Sequence, residues 1–138
     1  MIRSLQLLSL LSVLVLAGCA TTPPDVVGAG TQLGTRQIQT REYDTLDKPM
    51  TMRSVIATLQ DLGFTIDQAD SELGTVTATR LHDYTMRMTV TVVKKEGKRI
   101  AVRANARIGE NSVTDAATYQ DFFVVLDKAM FLTLHKVD

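Results

Sequence analysis

The sequence contains a single cysteine, Cys19, and only two histidines, His82 and His135. One cysteine cannot form a disulfide bond within the chain, so the folded part must be stabilised by packing alone. Zinc and redox metals are usually bound by cysteine and histidine side chains, and this sequence offers too few of them for such a site. We therefore expect no metal centre.

The sequence also lacks an excess of charge and the short motifs that are typical of enzymes. Its formal net charge is zero, which does not favour nucleic-acid binding. There is no Gly-x-Ser-x-Gly motif and no glycine-rich phosphate-binding loop. Ser54 falls inside a predicted helix, and Ser71 and Ser112 fall in predicted turns, so none of these is in a context that suggests an activated nucleophile. The sequence predicts a protein that is not an enzyme and holds no cofactor.

The amino terminus carries an apolar run that ends in the cysteine. Arg3 precedes the apolar residues 5–16, a run too short for a transmembrane helix but ordered like a secretory signal peptide. The residues Leu16-Ala17-Gly18-Cys19 resemble the lipobox of bacterial lipoproteins. This resemblance implies cleavage before Cys19, acylation of its thiol and new amino terminus, and a lasting membrane anchor. The alternative is an ordinary secreted protein whose cysteine lies near the cleavage site by chance.

These features divide the chain into three parts. We expect a lipoprotein signal peptide at residues 1–18, a lipidated flexible tether at 19–35 and a single periplasmic domain at 36–138. The residue after the cysteine is Ala20, whereas an aspartate at that place resembles an inner-membrane retention signal in such lipoproteins. The resemblance therefore implies the periplasmic face of the outer membrane.

Two segments of the predicted domain have the apolar spacing of helices. Residues 48–62 follow Asp47, a plausible N-cap, and precede Gly63, which suits the left-handed residue that ends a helix. A second helix is predicted after Asp115. It carries three of the four phenylalanines, so we expect it to fill most of the core.

The remaining segments alternate between apolar and polar residues, as half-buried strands do. We predict strands near residues 36–43, 64–68, 74–81, 84–92 and 100–108, and a loop at 109–114. With the helices, the element order is βαββββα. This order predicts an α+β domain, in which an antiparallel sheet of four to five strands carries two helices on one face.

The hairpin between the last two strands allows a prediction of its register. A three-residue loop of Lys95-Glu96-Gly97, with its glycine left-handed, would pair Lys94 with Lys98 and Val92 with Ile100. This register places the even-numbered residues on the core face. On the opposite face it sets no arginine across from another arginine.

Two sets of residues are candidates for contact with a partner. Alternation places four arginines on the outer face of that hairpin: Arg87, Arg99, Arg103 and Arg107. They predict an electropositive patch for an acidic partner, lipid head groups or peptidoglycan carboxylates, and the alternative is a solvated face that keeps the protein soluble. The second set lies outside the main apolar face of the C-terminal helix: Val125, Phe131 and Leu134. These side chains would form an exposed protein contact, or pack as core against the first helix or the N-terminal strand.

Three stretches of the domain, residues 59–64, 73–78 and 119–123, resemble those of small, mostly uncharacterised proteobacterial lipoproteins. The order of elements is also similar to the helix-grip domains of an outer-membrane assembly lipoprotein. The first resemblance brings no catalytic motif, and the second is one of topology only, which does not carry function.

From the lipobox and the absence of catalytic motifs we expect a non-enzymatic lipoprotein that is an accessory subunit of a cell-envelope complex. Transport, efflux, secretion or outer-membrane assembly would all suit a tethered module of this size. The alternative is a module that binds a lipid or a small hydrophobic ligand between the sheet and the C-terminal helix. Its cavity would be lined by adaptable methionines, namely Met86, Met88 and Met130.

Overall fold

The computed structural model describes residues 32–135, which form three helices and six strands. In chain order they are α1 (Gln32–Ile38), β1 (Thr40–Tyr43), α2 (Lys48–Asp61), β2 (Thr65–Asp70), β3 (Thr75–Leu81), β4 (Thr85–Lys95), β5 (Arg99–Ile108), β6 (Asn111–Ser112) and α3 (Ala116–His135). The predicted α+β class with an antiparallel sheet is confirmed. The predicted signal peptide, Cys19 and the tether up to residue 31 lie outside the described residues.

The strands form one sheet in the order β1-β5-β4-β3-β2, and β6 also pairs with β5. Its core face is covered by α2 and α3, whose apolar side chains join those of the strands in one cluster. The even-numbered residues Met86 to Val92 of β4 and Ile100 to Ala106 of β5 are buried, as alternation predicted. All buried apolar residues of the cluster lie between Met50 and Met130, so the core is complete within the described chain.

Helix α2 begins and ends where its sequence signals predict. The side chain of Asp47 accepts a hydrogen bond from the backbone N–H of Met50 at 2.8 Å, which satisfies one of the free donors of the first turn. At the other end Gly63 has a φ of 80°. The backbone N–H groups of Gly63 and Phe64 donate back to carbonyls of the last turn, the two bonds of a Schellman motif.

The beginning of the described chain differs from the prediction. A strand was expected over 36–43, but α1 occupies Gln32–Ile38 and β1 only Thr40–Tyr43. The segment is rich in glutamine, arginine and leucine, which favour helix, and its alternation is too weak to oppose them. The last four residues of the expected tether, 32–35, are therefore helical.

The predicted loop at 109–114 contains the short strand β6. Ile108 pairs with Asn111 and Arg107 with Ser112, so the chain turns back on β5 through Gly109 and Glu110. Gly109 has a φ of 58°, in the left-handed region. A strand of two residues is too short to show alternation, so no sequence pattern indicates it.

The predicted register of the β4–β5 hairpin is wrong by two residues. Lys95 pairs with Arg99, so the loop is Glu96-Gly97-Lys98, and Arg87 lies directly opposite Arg107. The expectation that no arginine opposes another is therefore also wrong. The error arose because the left-handed conformation was assigned to glycine alone, whereas Lys98 also adopts it, with a φ of 63°. A shift of two residues leaves every side chain on the same face of the sheet. The prediction of which β4 and β5 residues are buried is therefore unaffected by the error in register.

The hydroxyl group of a buried tyrosine, Tyr119, binds the backbone of β5 where neither β1 nor β6 pairs with it. The hydroxyl of Tyr119 accepts hydrogen bonds from Gln39 Nε2 at 3.0 Å and from the backbone N–H of Ala106 at 3.2 Å. It donates to the carbonyl of Val113 at 2.6 Å. This network holds α1, β5 and α3 together, and it satisfies a strand donor that no neighbouring strand reaches.

Candidate partner-binding surfaces

The face of the sheet opposite α2 and α3 is polar, and no element between residues 32 and 135 covers it. Alternation places threonines and arginines there because their neighbours in the strand occupy the core face. The outward-facing residues of the three central strands are exposed or half-buried: Thr75, Thr77, Thr79 and Leu81 from β3; Thr85, Arg87, Thr89, Thr91, Val93 and Lys95 from β4; Arg99, Ala101, Arg103, Asn105 and Arg107 from β5. We call this surface the open face. It carries all four arginines of the first predicted set.

Two of these arginines are engaged by the edge strand β1. Arg99 forms an ion pair with Glu42, with 2.5 Å between Nη1 and Oε2. Arg103 Nε donates to the hydroxyl of Thr40 at 3.3 Å. The part of the open face beside β1 is therefore partly neutralised.

The other two arginines, Arg87 and Arg107, face each other across β4 and β5. Arg107 donates to the backbone carbonyl of Glu110 at 2.9 Å and lies 3.4 Å from its carboxylate, whose side chain is 99% exposed. The side chain of Arg87 forms no hydrogen bond or ion pair with any residue from 32 to 135. Like charges directly opposite each other in a sheet are destabilising, so an anion between the two guanidinium groups would relieve their repulsion.

The arginine pair is bordered by two surface depressions that share the side chains of Arg87, Thr89 and Arg107. The one nearer α1 is also lined by Asn105 and Ser112. These last two residues line a third depression together with α1, including Gln32. The first described residue of the chain thus lines a depression adjacent to the one beside the arginine pair.

The end of α3 forms a second surface, which is apolar. Phe131 is 56% exposed and Leu134 45% exposed, and Leu132 between them is also exposed. The structure therefore places these two members of the second predicted set in solvent, whereas Val125 is half-buried. Sequence reasoning missed two exposed apolar side chains, Leu132 and Val124. Val124 is 66% exposed and lies about two turns of helix before Phe131. No helix within the described part of the chain is long and apolar enough to cross a membrane.

The space between the sheet and α3 is filled by side chains of the described residues. The methionines expected to line a cavity are buried in the core: Met86, Met88 and Met130. None of five depressions on the surface of residues 32–135 is lined by these methionines. Across residues 32–135, no three histidine, aspartate or glutamate side chains are grouped so that they would hold a metal ion.

A cluster of polar side chains between β1 and α3 was not foreseen from the sequence. Tyr43 donates its hydroxyl proton to Asp127 at 2.7 Å, and Arg41 forms an ion pair with the same carboxylate. The guanidinium of Arg41 also lies over the ring of Phe123, 4.9 Å from its centre. Burial, and then the hydrogen bond to Asp127, raise the pKa of Tyr43 well above its usual value. The cluster fastens the edge strand to the helix layer.

Comparison with known proteins adds no relative to these observations. No protein-family model matches the chain, and no curated protein matches it significantly. A function must therefore be argued from the two surfaces and the amino-terminal motif.

Proposed function

We propose that this chain is a non-enzymatic lipoprotein, anchored through Cys19 to the periplasmic face of the outer membrane. Its domain is an accessory subunit of a cell-envelope complex for transport, efflux, secretion or outer-membrane assembly. The lipobox-like residues 16–19 support the anchor. We favour a subunit over a ligand carrier because the core is filled, whereas apolar and cationic side chains remain uncovered on the outer surface.

The packing of the core argues against the alternative function, a module for a small hydrophobic ligand. Pockets for such ligands typically enclose about 300–1,000 Å³. In this domain the space between the sheet and α3 is occupied by Met88, Met130 and the two phenylalanines Phe122 and Phe123, whose rings meet edge to face, and all four side chains are buried. Binding is therefore left to the outer surface.

The apolar end of α3 is the surface best suited to a protein partner. Phe131 and Leu134 are large side chains exposed within one turn of helix. Each would contribute roughly 1.5–3 kcal/mol on full burial against a partner. An aromatic anchor with apolar neighbours is also the usual composition of an interface centre. We therefore assign the contact with the complex to this end of α3.

A pull-down of the lipidated protein from native envelopes in mild detergent tests the subunit proposal, with partners identified by mass spectrometry. We expect stoichiometric recovery of an envelope complex and its loss in Phe131→Ser. The matched control is Leu73→Ser, which also removes an exposed apolar side chain, in the turn before β3. Recovery of the protein alone with a co-purified lipid would contradict the proposal and favour the ligand module.

The anchor is tested separately by Cys19→Ser. This variant lacks the thiol that would be acylated, so we expect it to leave the membrane fraction after cell lysis. Retention in the membrane fraction at high salt would show that Cys19 is not the anchor.

A further inference from the structure

We propose that Arg87 and Arg107 bind the phosphate group of an anionic phospholipid, so that the open face lies against the bilayer. The proposal rests on the proposed function in one respect, because the lipid anchor at Cys19 would hold the domain where the concentration of lipid is high. The arginine site itself can be tested without that anchor.

The charges of the pair identify the ligand as an anion. Arg87 and Arg107 are direct cross-strand partners, and Arg87 has no acidic partner among residues 32–135. Among residues 32–135, the carboxylate paired with Arg107 is that of the fully solvated Glu110, and such exposed ion pairs contribute little. A phosphate offers several acceptor oxygens to two guanidinium groups, and one phosphate between them would relieve their repulsion.

The surroundings of the pair provide further donors for phosphate oxygens. The hydroxyl groups of Thr85, Thr89 and Ser112 line the two depressions that border it. Of the other two arginines of the open face, Arg99 is paired with Glu42 and Arg103 donates to the hydroxyl of Thr40. Arg87 is therefore the one arginine of the open face whose side chain has no partner among residues 32–135.

The length of the tether limits how far the start of α1 can lie from the lipidated residue. Twelve residues, 20–31, separate Cys19 from Gln32. They can span at most about 40 Å, so the start of α1 must lie within that distance of the lipidated residue. Gln32 lines a depression whose walls include Asn105 and Ser112, and these two residues also line the depression beside the arginine pair. A site tethered at such short range meets head groups at an effective concentration of roughly millimolar, so a weak interaction is sufficient.

The composition of the open face favours lipid head groups over an acidic protein. None of the outward-facing residues of β3, β4 and β5 is aromatic. Protein interfaces usually have aromatic anchors at their centre, and in this domain the exposed anchor is Phe131 on α3. Apart from Leu81, Val93 and Ala101, the outward-facing side chains of these strands are polar or cationic, which suits a layer of phosphates.

The test is sedimentation of the mature chain carrying Cys19→Ser with vesicles at millimolar lipid, the effective concentration that the anchor would provide, made of phosphatidylcholine with or without phosphatidylglycerol. We expect binding to the anionic vesicles only, weakened by added salt. Each neutralised arginine should weaken the binding about fivefold, so R87Q/R107Q should lose roughly 25-fold. The control R53Q/K128Q removes the same charge from exposed positions on α2 and α3, in the layer behind the sheet, and should lose less than about twofold. Circular dichroism checks that each variant is folded.

Three results would overturn the proposal. One is an absence of binding to the anionic vesicles, and another is an equal loss in the two double variants, which would indicate diffuse attraction without a site. The third is unchanged vesicle binding in R87Q/R107Q with loss of the protein partner in the envelope pull-down, which would make an acidic protein the occupant. Because the vesicle assay uses a chain without the lipid and Phe131→Ser tests α3, failure of this proposal is distinguishable from failure of the proposed function.

Discussion

Replacing Tyr119 by phenylalanine should destabilise the domain strongly while leaving its packing intact. The ring of Tyr119 is fully buried, and its hydroxyl is the partner of Gln39 Nε2, the N–H of Ala106 and the carbonyl of Val113. Phenylalanine keeps the ring but leaves these three groups without a partner. Each buried polar group left unsatisfied costs about 1–3 kcal/mol, and some relaxation of the Gln39 side chain is expected. We therefore predict a loss of about 3 kcal/mol in the free energy of unfolding.

Urea unfolding followed by circular dichroism measures this loss. With an m value of about 1–3 kcal/mol/M, the midpoint should fall by roughly 1–3 M and the slope should stay the same. Tyr84→Phe is the matched control, because Tyr84 is exposed and its hydroxyl makes no hydrogen bond within residues 32–135. That variant should stay within about 0.5 kcal/mol of the parent. A loss below about 1 kcal/mol for Tyr119→Phe would refute the role assigned to its hydroxyl.

Three further predictions concern backbone strain and a titrating group, and urea unfolding measures each of them. Gly74→Ala should cost about 3 kcal/mol, because φ is 76° there and the new Cβ would lie 2.4 Å from the carbonyl oxygen of Val92. Lys98→Gly should stabilise the domain by about 0.5–1 kcal/mol. It removes the strain of a lysine in the left-handed conformation, and this gain is partly offset because glycine makes the unfolded chain more flexible. An unchanged urea midpoint would contradict this prediction. The raised pKa of Tyr43 favours its neutral form in the folded state, so this contribution to stability is complete below pH 10 and is lost as the pH rises above 10. Tyr43→Phe should lack that alkaline loss, and an identical pH profile in parent and variant would count against it.

The parts of the fold that were predictable are those that local signals determine. The ends of α2 follow from Asp47 and Gly63, whose roles involve only backbone groups within one turn of helix. The core faces of β4 and β5 follow from a strict alternation over about ten residues each. Helix α3 follows from Asp115, whose carboxylate accepts from the N–H of Thr118 at 3.2 Å, and from its phenylalanines.

The parts that were missed depend on contacts between distant residues. The register of the β4–β5 hairpin is one example, because alternation is unchanged by a shift of two residues and so gives no information on it. The strain of Lys98 costs roughly 1–2 kcal/mol, and only the pairing along the whole hairpin outweighs it. The hydrogen bonds of Tyr119 to Gln39 and Val113 likewise join segments that no sequence pattern relates.

The candidate sites were likewise predictable where local signals determine them and were missed where distant contacts do. Alternation was sufficient to place the four arginines on one face. It did not indicate which arginine has no partner, because that depends on β1 bringing Glu42 to Arg99 and on the register that sets Arg87 against Arg107. The exposure of Phe131 was also left open by the sequence, because it depends on how far α3 extends past the elements it packs on.

The two proposed contacts are compatible because they use opposite sides of the domain. The arginine pair lies on the open face, whereas α3 packs on the covered face of the same sheet. If the open face lies on the bilayer, the helix layer points away from it, and Phe131 stays accessible to a partner in the periplasm. A short tether that starts beside Asn105 and Ser112 would favour this orientation over the reverse one. The lipid contact would thereby present α3 to the complex. It would help assembly by orienting the domain and would add no surface to the interface with the complex.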